Sequence, residues 1–214
     1  MTMFGRLTSD PRRRALLLGV LAAVVALLIG YGAGLLTPSL RAPGDNSPEA
    51  GFARDMSTHH AQAVEMGMVA YQKATDDEVR QLGYNIALTQ QAQIGIMKTW
   101  LDDWHLEPTG SRPKMAWMPR GGQELTPDGL MPGMATDAQI EQLHNATGKD
   151  VDILFCQLML RHHLGGIHMV DGLLEVSHDK AVRDMAETMK RNQQGEVTTL
   201  QDLLTRLGSE PLGS

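Results

Sequence analysis

The sequence predicts an all-α protein, an antiparallel four-helix bundle made of two repeated helical hairpins and preceded by one transmembrane helix. Three observations predict it. Residues 15–36, ALLLGVLAAVVALLIGYGAGLL, carry no charge; as a helix such a run rises about 33 Å, roughly the thickness of a bilayer's hydrocarbon core. Beyond it, apolar residues recur every three or four positions in four long segments, the period of helices with one buried face. The chain also aligns with itself without a gap when shifted by 103 residues, with 11 identities over residues 52–101. Each half is then a hairpin, and a lone hairpin cannot bury its apolar stripe, so the halves must pack on each other.

Residues 1–14 are a basic tail with Arg6, Arg12, Arg13 and Arg14. Positive flanks stay in the cytoplasm, which places the chain beyond residue 36 on the extracytoplasmic side of the cell membrane. A cleaved secretory signal has an apolar core of about 7–15 residues, so this longer run reads as a retained single-pass anchor. Cleavage after Gly34, giving a secreted protein, is the alternative. No cysteine near the end of the run could carry a lipid. The net charge is −6 over the chain and +3 over residues 1–40, leaving −9 on the exported part. That balance speaks against nucleic acid, whose phosphates demand Lys and Arg, and suits a cation or simple solubility. Cys156 is the only cysteine, so no intramolecular disulfide forms and the fold must stand on its core.

Residues 37–47, TPSLRAPGDNS, read as a tether. The bundle spans 48–208. Ser47 followed by Pro48 opens its first helix, expected over 48–73. Asp76 and Asp77 open the second, with Val79, Leu82, Ile86, Ile94, Met97, Leu101 and Trp104 as its stripe and an end near His105. Residues 107–136 form a Pro/Gly-rich connection containing two Met-x-x-Met pairs. Thr136 and Gln139 predict a capping box on a short helix, 137–147. The third long helix starts at Asp150 or Asp152 and runs to about 176. The fourth starts at Asp179 and stops at Gly208.

In the 103-residue register one stripe of the first helix is Phe52, Met56, His59, Ala63, Met66 and Ala70. Its twin is Phe155, Met159, His162, Gly166, Met169 and Leu173. His59 and His162 thus sit in apolar seams with methionines near them, and His60 and His163 sit on the shoulder. Ala63 and Gly166 leave space beside the imidazoles. Gln90 and Gln193 interrupt the stripes of the other two helices, and a buried amide costs free energy unless it is hydrogen-bonded. A metal-binding imidazole needs an orienting partner on its second nitrogen, so Gln90 and Gln193 are expected to bond the seam histidines. Satisfied core histidines in a purely structural or partner-binding bundle are the competing reading.

The Met115–Met118 and Met131–Met134 pairs lie outside any helical stripe. Thioether sulfur prefers Cu(I) or Ag(I), but methionines also make hydrophobic lids. His168 stands where the first half has Glu65, and either is an outer ligand or a solvent-facing side chain. Two Glu-x-x-His strings, Glu141 to His144 and Glu175 to His178, fall at non-equivalent places and count as chance. A buried, inert thiol is expected at Cys156. No phosphate-binding Gly-rich loop, nucleophile elbow or His-Glu-x-x-His string is present.

The strings MSTHHAQAVEM, LMPGMAT and FCQLMLRHHLGGIHM resemble the bacterial family called domain of unknown function 305, over about residues 48–207. The resemblance implies a ferritin-like bundle, usually exported, with copper binding or tolerance in some members. Its implied ligands are Met56, His59, His60 and Met66, their counterparts Met159, His162, His163 and Met169, and the loop residues Met131 and Met134. The expected function is copper buffering, tolerance or transfer by a membrane-anchored protein, with a metal donor or acceptor protein as partner and no catalysis. A ferritin-like metal-dependent oxidoreductase is the enzymatic alternative; the inward carboxylates that hold two irons are missing from the stripes.

Overall fold

The computed structural model describes residues 11–212. They form six α-helices and, among the described residues, no strand. α1 (Pro11–Arg41) belongs to one compact unit, and the chain from Pro43 onward forms another. Within α1, Pro11–Gly32 has a mean hydropathy of 2.5 and none of it is buried. It is long and apolar enough to cross a membrane, and a signal sequence would share that length and composition. The helix continues through Pro38 to Arg41, so residues 37–41, expected in the tether, are helical.

The second unit holds α2 (Pro48–Lys73), α3 (Asp77–Asp103), α4 (Asp137–Asn145), α5 (Lys149–Val176) and α6 (Lys180–Leu207). Their ends follow local chemistry. The Ser47 hydroxyl accepts from the Ala50 amide at 3.1 Å, and Pro48 occupies a position whose N–H would have no partner. Asp76 caps α3 and Asp179 caps α6. Thr136 and Gln139 form the reciprocal capping box of α4, which stops two residues before 147 where the chain turns extended at Ala146. α5 starts at Lys149, just ahead of the expected aspartates, because Gly148 at φ 60 turns the chain without a side-chain cap. Gly208, at φ 70, ends α6 in the left-handed conformation that glycine adopts at little cost.

α2 packs on α3, α5 packs on α6, and the two pairs meet through α2 and α5. The turns are tied alike: Arg80 bonds the Ala74 carbonyl at 2.7 Å and Arg183 bonds the Ser177 carbonyl at 2.9 Å. These donors and acceptors are 103 residues apart in the sequence. Asp152 on α5, 1% exposed, accepts from the Thr75 amide at 2.9 Å and so fastens the α2–α3 turn to the other pair.

The core of this unit is two apolar clusters. One joins the C-terminal half of α2 and the N-terminal half of α5 to Val79 and Ile86 of α3 and to Leu200, Leu203 and Leu204 of α6. Cys156 lies in it, buried, with its thiol pushed up to about 12 by desolvation and then by Asp152, so it is an inert core residue. The other joins the opposite ends of the same four helices and is closed by the 107–136 connection, which contributes Met115, Trp117, Met118 and Met131. Between the clusters lies a band of buried polar side chains: His59, His60, His162, His163, Gln90, Gln93 and Gln193.

Candidate metal centre

His59 and His60 leave α2, and His162 and His163 leave α5, at the level where the two apolar clusters divide. All four are at most 1% exposed. The His59 and His162 rings face each other with centroids 3.8 Å apart and planes inclined by 34°. Met56 and Met169 lie in the apolar cluster on one side of the band, and Met66 and Met159 in the cluster on the other. The band therefore has thioether side chains within both of its apolar borders.

The partners of the imidazoles fix their hydrogens. His59 Nε2 is 3.0 Å from the Pro132 carbonyl, His60 Nε2 is 2.7 Å from Gln93 Oε1, and His163 Nε2 is 2.6 Å from Glu196 Oε2. Carbonyl and carboxylate oxygens only accept, so each of these Nε2 atoms carries a hydrogen, and in a neutral ring the Nδ1 keeps its lone pair. Those three Nδ1 atoms are buried with no partner, as are both nitrogens of His162. With Gln90 Oε1 and Gln193 Oε1 they make seven of the eight buried, unpartnered side-chain N and O atoms among the described residues, so the deficit is local to this band. Folded proteins satisfy nearly all such atoms, and a concentration of exceptions marks a site with a further partner.

Burial keeps the rings of His59, His60 and His162 neutral. It pushes His59 down to about 4, partly offset by the Pro132 carbonyl, and His60 down to about 3. His162 is driven well below the usual histidine range, first by burial and then by the neighbouring imidazoles. Neutral imidazoles with an oxygen-bound Nε2 and a free Nδ1 are the form that ligates a soft or borderline metal. The donor chemistry fits a copper ion. Yet among the described residues no three His, Cys, Asp or Glu side chains come together as a ready-made ion site. An ion here would draw on thioethers or on a small shift of the rings.

The predicted roles of Gln90 and Gln193 are not what the structure has. Neither bonds a histidine, and each Oε1 is unpartnered. The residues one helical turn on, Gln93 and Glu196, do that work for His60 and His163. They occupy matching places in the 103-residue register, a signal the sequence held. Gly166 also serves a different neighbour: a Cβ there would stand 2.5 Å from Gln193 Oε1, so its space is filled by that amide. The adjacent Gly165 lets the Pro132–Gly133 backbone rest on α5, where any Cβ would collide with Pro132. Gly133 needs its φ of 78 to make that turn.

The Met131–Met134 segment is thus a strap across the histidine band. Pro132 bonds His59, and Gln62 holds Ala135 through both its amide at 2.7 Å and its carbonyl at 2.9 Å. Met131 is buried and Met134 half-buried. Met115 and Met118 also turn inward, with Trp117, whose indole bonds buried Asp55 at 2.7 Å and packs edge-on to Phe52. His168 stays outside: it is half-exposed and pairs with Glu124 at 2.8 Å. Its counterpart Glu65 pairs with His144 at 2.8 Å. The 3₁₀ turn at Gly121–Glu124 and α4 supply these partners and draw both positions away from the band.

Known proteins bear on this arrangement. The profile of the family described as domain of unknown function DUF305 matches residues 49–204. The crystal structure of a DUF305 protein from Streptomyces coelicolor is 41% identical, with a TM-score of 0.74, over 80% of this chain and 100% of that one. A DUF305 fragment from Deinococcus radiodurans is 28% identical, with a TM-score of 0.63, over 77% and 99%. CopM in its Cu(II)-bound form is 26% identical, with a TM-score of 0.58, over 75% and 97%. Among curated proteins, none matches. The profile spans well over half of the chain, and the fold agrees with it: this chain belongs to the DUF305 family.

Proposed function

We propose that this is a membrane-anchored, extracytoplasmic copper-binding protein that buffers the metal or passes it to a partner protein, rather than transforming a substrate. The carrying observation is the set of unpartnered buried Nδ1 atoms on His59, His60 and His163 beside His162, whose two ring nitrogens also have no side-chain partner. Met56, Met66, Met159 and Met169 are the thioethers nearest in sequence to this set, and the neutral N and S donors favour Cu(I). The scaffold is read as a ferritin-like antiparallel four-helix bundle that arose from two hairpins. The like-tied turns and facing His59 and His162 support that reading. The similarity to CopM, crystallised with Cu(II), supports the choice of metal. α1 is taken as the anchor and its arginine-rich flank as the cytoplasmic end.

The strap covers the site. The Pro132 carbonyl holds His59 Nε2 and leaves Nδ1 for an ion, and half-buried Met134 is the more accessible thioether of the Met131–Met134 pair. The test is metal retention by the full chain in detergent after exposure to Cu(I), Ag(I), Zn(II) and Fe(II). Cu(I) and Ag(I) are expected to be retained and lost in the His59→Ala/His162→Ala variant. Retention unchanged in that variant sinks the site. A bundle whose histidines serve only the core is the second reading; the lack of a preassembled three-residue ion site favours it, and no retention by the unmodified protein would establish it.

A further inference from the structure

The two apolar clusters that border the histidine band are equivalent under the 103-residue shift, and their composition differs at specific places. On α3 and α6, one cluster has Ile86 and Leu200 as its inner residues. The other has Met189 and Met97 at the corresponding positions. All four are fully buried. Isoleucine and leucine at one end show that aliphatic side chains fill these positions, so packing alone does not call for methionine at the other.

The same methionine end already contains Met56 from α2 and Met169 from α5, so each of its four helices contributes a buried thioether there. The connection adds more sulfur from outside the helices. Met131 is fully buried in this cluster, and Gly172 of α5 lacks the Cβ that would displace the Met118 sulfur. The opposite cluster has only Met66 and Met159 among its buried methionines. One end of the core is therefore rich in soft, neutral donors, while the other is chiefly aliphatic.

We propose that the methionine end is a second metal site, made of sulfur alone, with Met56, Met97, Met169 and Met189 as its donors. Its ligand is a monovalent soft cation, Cu(I) or Ag(I). Neutral thioethers are poor ligands for Zn(II), Mg(II) or Ca(II), and a divalent ion in an apolar core without carboxylate ligands would bear a larger desolvation cost. The site borders the histidine band and shares Met56 and Met169 with the donors proposed there, so one bundle holds a nitrogen-rich and a sulfur-rich position side by side. The inference rests on the reading of this protein as a copper binder but assigns Met97 and Met189 a role that reading does not need.

The test uses the full chain in detergent, loaded anaerobically with Cu(I) and titrated with a Cu(I) chelator. The Met97→Leu/Met189→Ile variant installs the residues that the opposite end already packs. It is expected to lose about one bound Cu(I), or to hold that ion at least about tenfold more weakly, while the nitrogen-bound ion stays. X-ray absorption of the loaded wild-type protein is expected to contain a sulfur-only copper population, and the variant to lose it. Wild-type copper without that population overturns the second site even if the variant fails to fold. So does a folded variant with unchanged copper content and affinity. Both results leave the histidine band standing, whereas a wild-type protein that binds no Cu(I) removes both sites.

Discussion

In the α2–α3 hairpin the helices touch backbone to backbone: a Cβ on Gly67 would stand 2.6 Å from the Gly83 carbonyl. The corresponding residues of the α5–α6 hairpin are Val170 and Ala186, both buried side chains in the methionine-rich cluster. Elsewhere the hairpins agree, with an aspartate cap on each second helix and an arginine on each turn. They differ again around the histidines. Gln62 grips the strap by its side chain, while its counterpart Gly165 lets the strap lie on the helix itself. Gln93 bonds His60 through an amide, while its counterpart Glu196 bonds His163 through a carboxyl group. The shared parts are those that make a hairpin. The parts that differ are those that set close approach, access and charge at the site.

The largest expected effect tests what the hairpins share. His59, His60 and His162 all titrate lower in the folded chain than in the unfolded one, near 6.5. Protons therefore favour the unfolded chain, and stability present above about pH 6.5 is lost as pH falls from there toward 4. Each of these three histidines contributes up to about 1.4 kcal/mol per pH unit within that window. Asp55 works the other way, since burial raises its carboxyl group and protonation relieves that cost. The metal-free protein should show a steep fall in urea midpoint between pH 7 and pH 5. A flat midpoint over that range would mean the band is not dry.

The next largest effect separates the hairpins. Gly67→Ala forces a methyl against the Gly83 carbonyl, and overpacking of this kind costs about 1–3 kcal/mol. Ala186→Gly, in the other hairpin, removes a methyl from helices that already stand apart and costs about 1 kcal/mol, mostly through helix propensity. Urea denaturation of the two variants measures the contrast; equal losses would mean the glycine contact is not close. Gly165→Ala acts on the strap instead. Pro132 has to lift, so backbone amides of residues 133–135 should exchange hydrogen faster while the helices keep their protection.

Much of this was legible in the sequence because it is local. Caps at Ser47, Asp76, Thr136 and Asp179 depend on a side chain and an amide two or three residues on, and they lie where the spacing predicts. The seam histidines were legible too, since a stripe of period 3.6 puts His59 and His162 on the buried face. Gln90 and Gln193 were legible as buried but not as unbonded, because their reach depends on how far α3 and α6 stand from α2 and α5. Gln93 and Glu196 lie off the apolar stripe, and their role shows only once the shoulder histidines are seen to point at them. The sequence leaves His168 open between an outer ligand and a solvent-facing side chain, because its partner Glu124 comes from an aperiodic connection whose path no spacing rule gives. Gly166 reads in the sequence as room beside an imidazole, whereas the Gln193 amide fills that room and the strap lies on its neighbour Gly165.

The smallest effect is the sharpest test of the difference between the halves. Glu196 and Gln93 have nearly the same shape and make the same bond to corresponding histidines, at 2.6 and 2.7 Å. They differ in that a carboxylate can pull the Nε2 hydrogen and make the opposite Nδ1 a stronger donor, which an amide does weakly. It also brings negative charge toward a cation in a low-dielectric core. Glu196→Gln makes the two halves alike while leaving a hydrogen bond in place. Cu(I) affinity of the full chain should fall by about tenfold, at the low end of what loss of an orienting carboxylate costs in metal sites, with the urea midpoint at pH 7.5 little changed. Gln93→Glu should move affinity the opposite way, and the two changes together should return it near its starting value with His60 now the stronger donor. Chelator competition reads all three. If Glu196→Gln leaves affinity unchanged while the protein still binds copper, His163 is not a ligand, and the ion is held by the His59–His162 pair and sulfur.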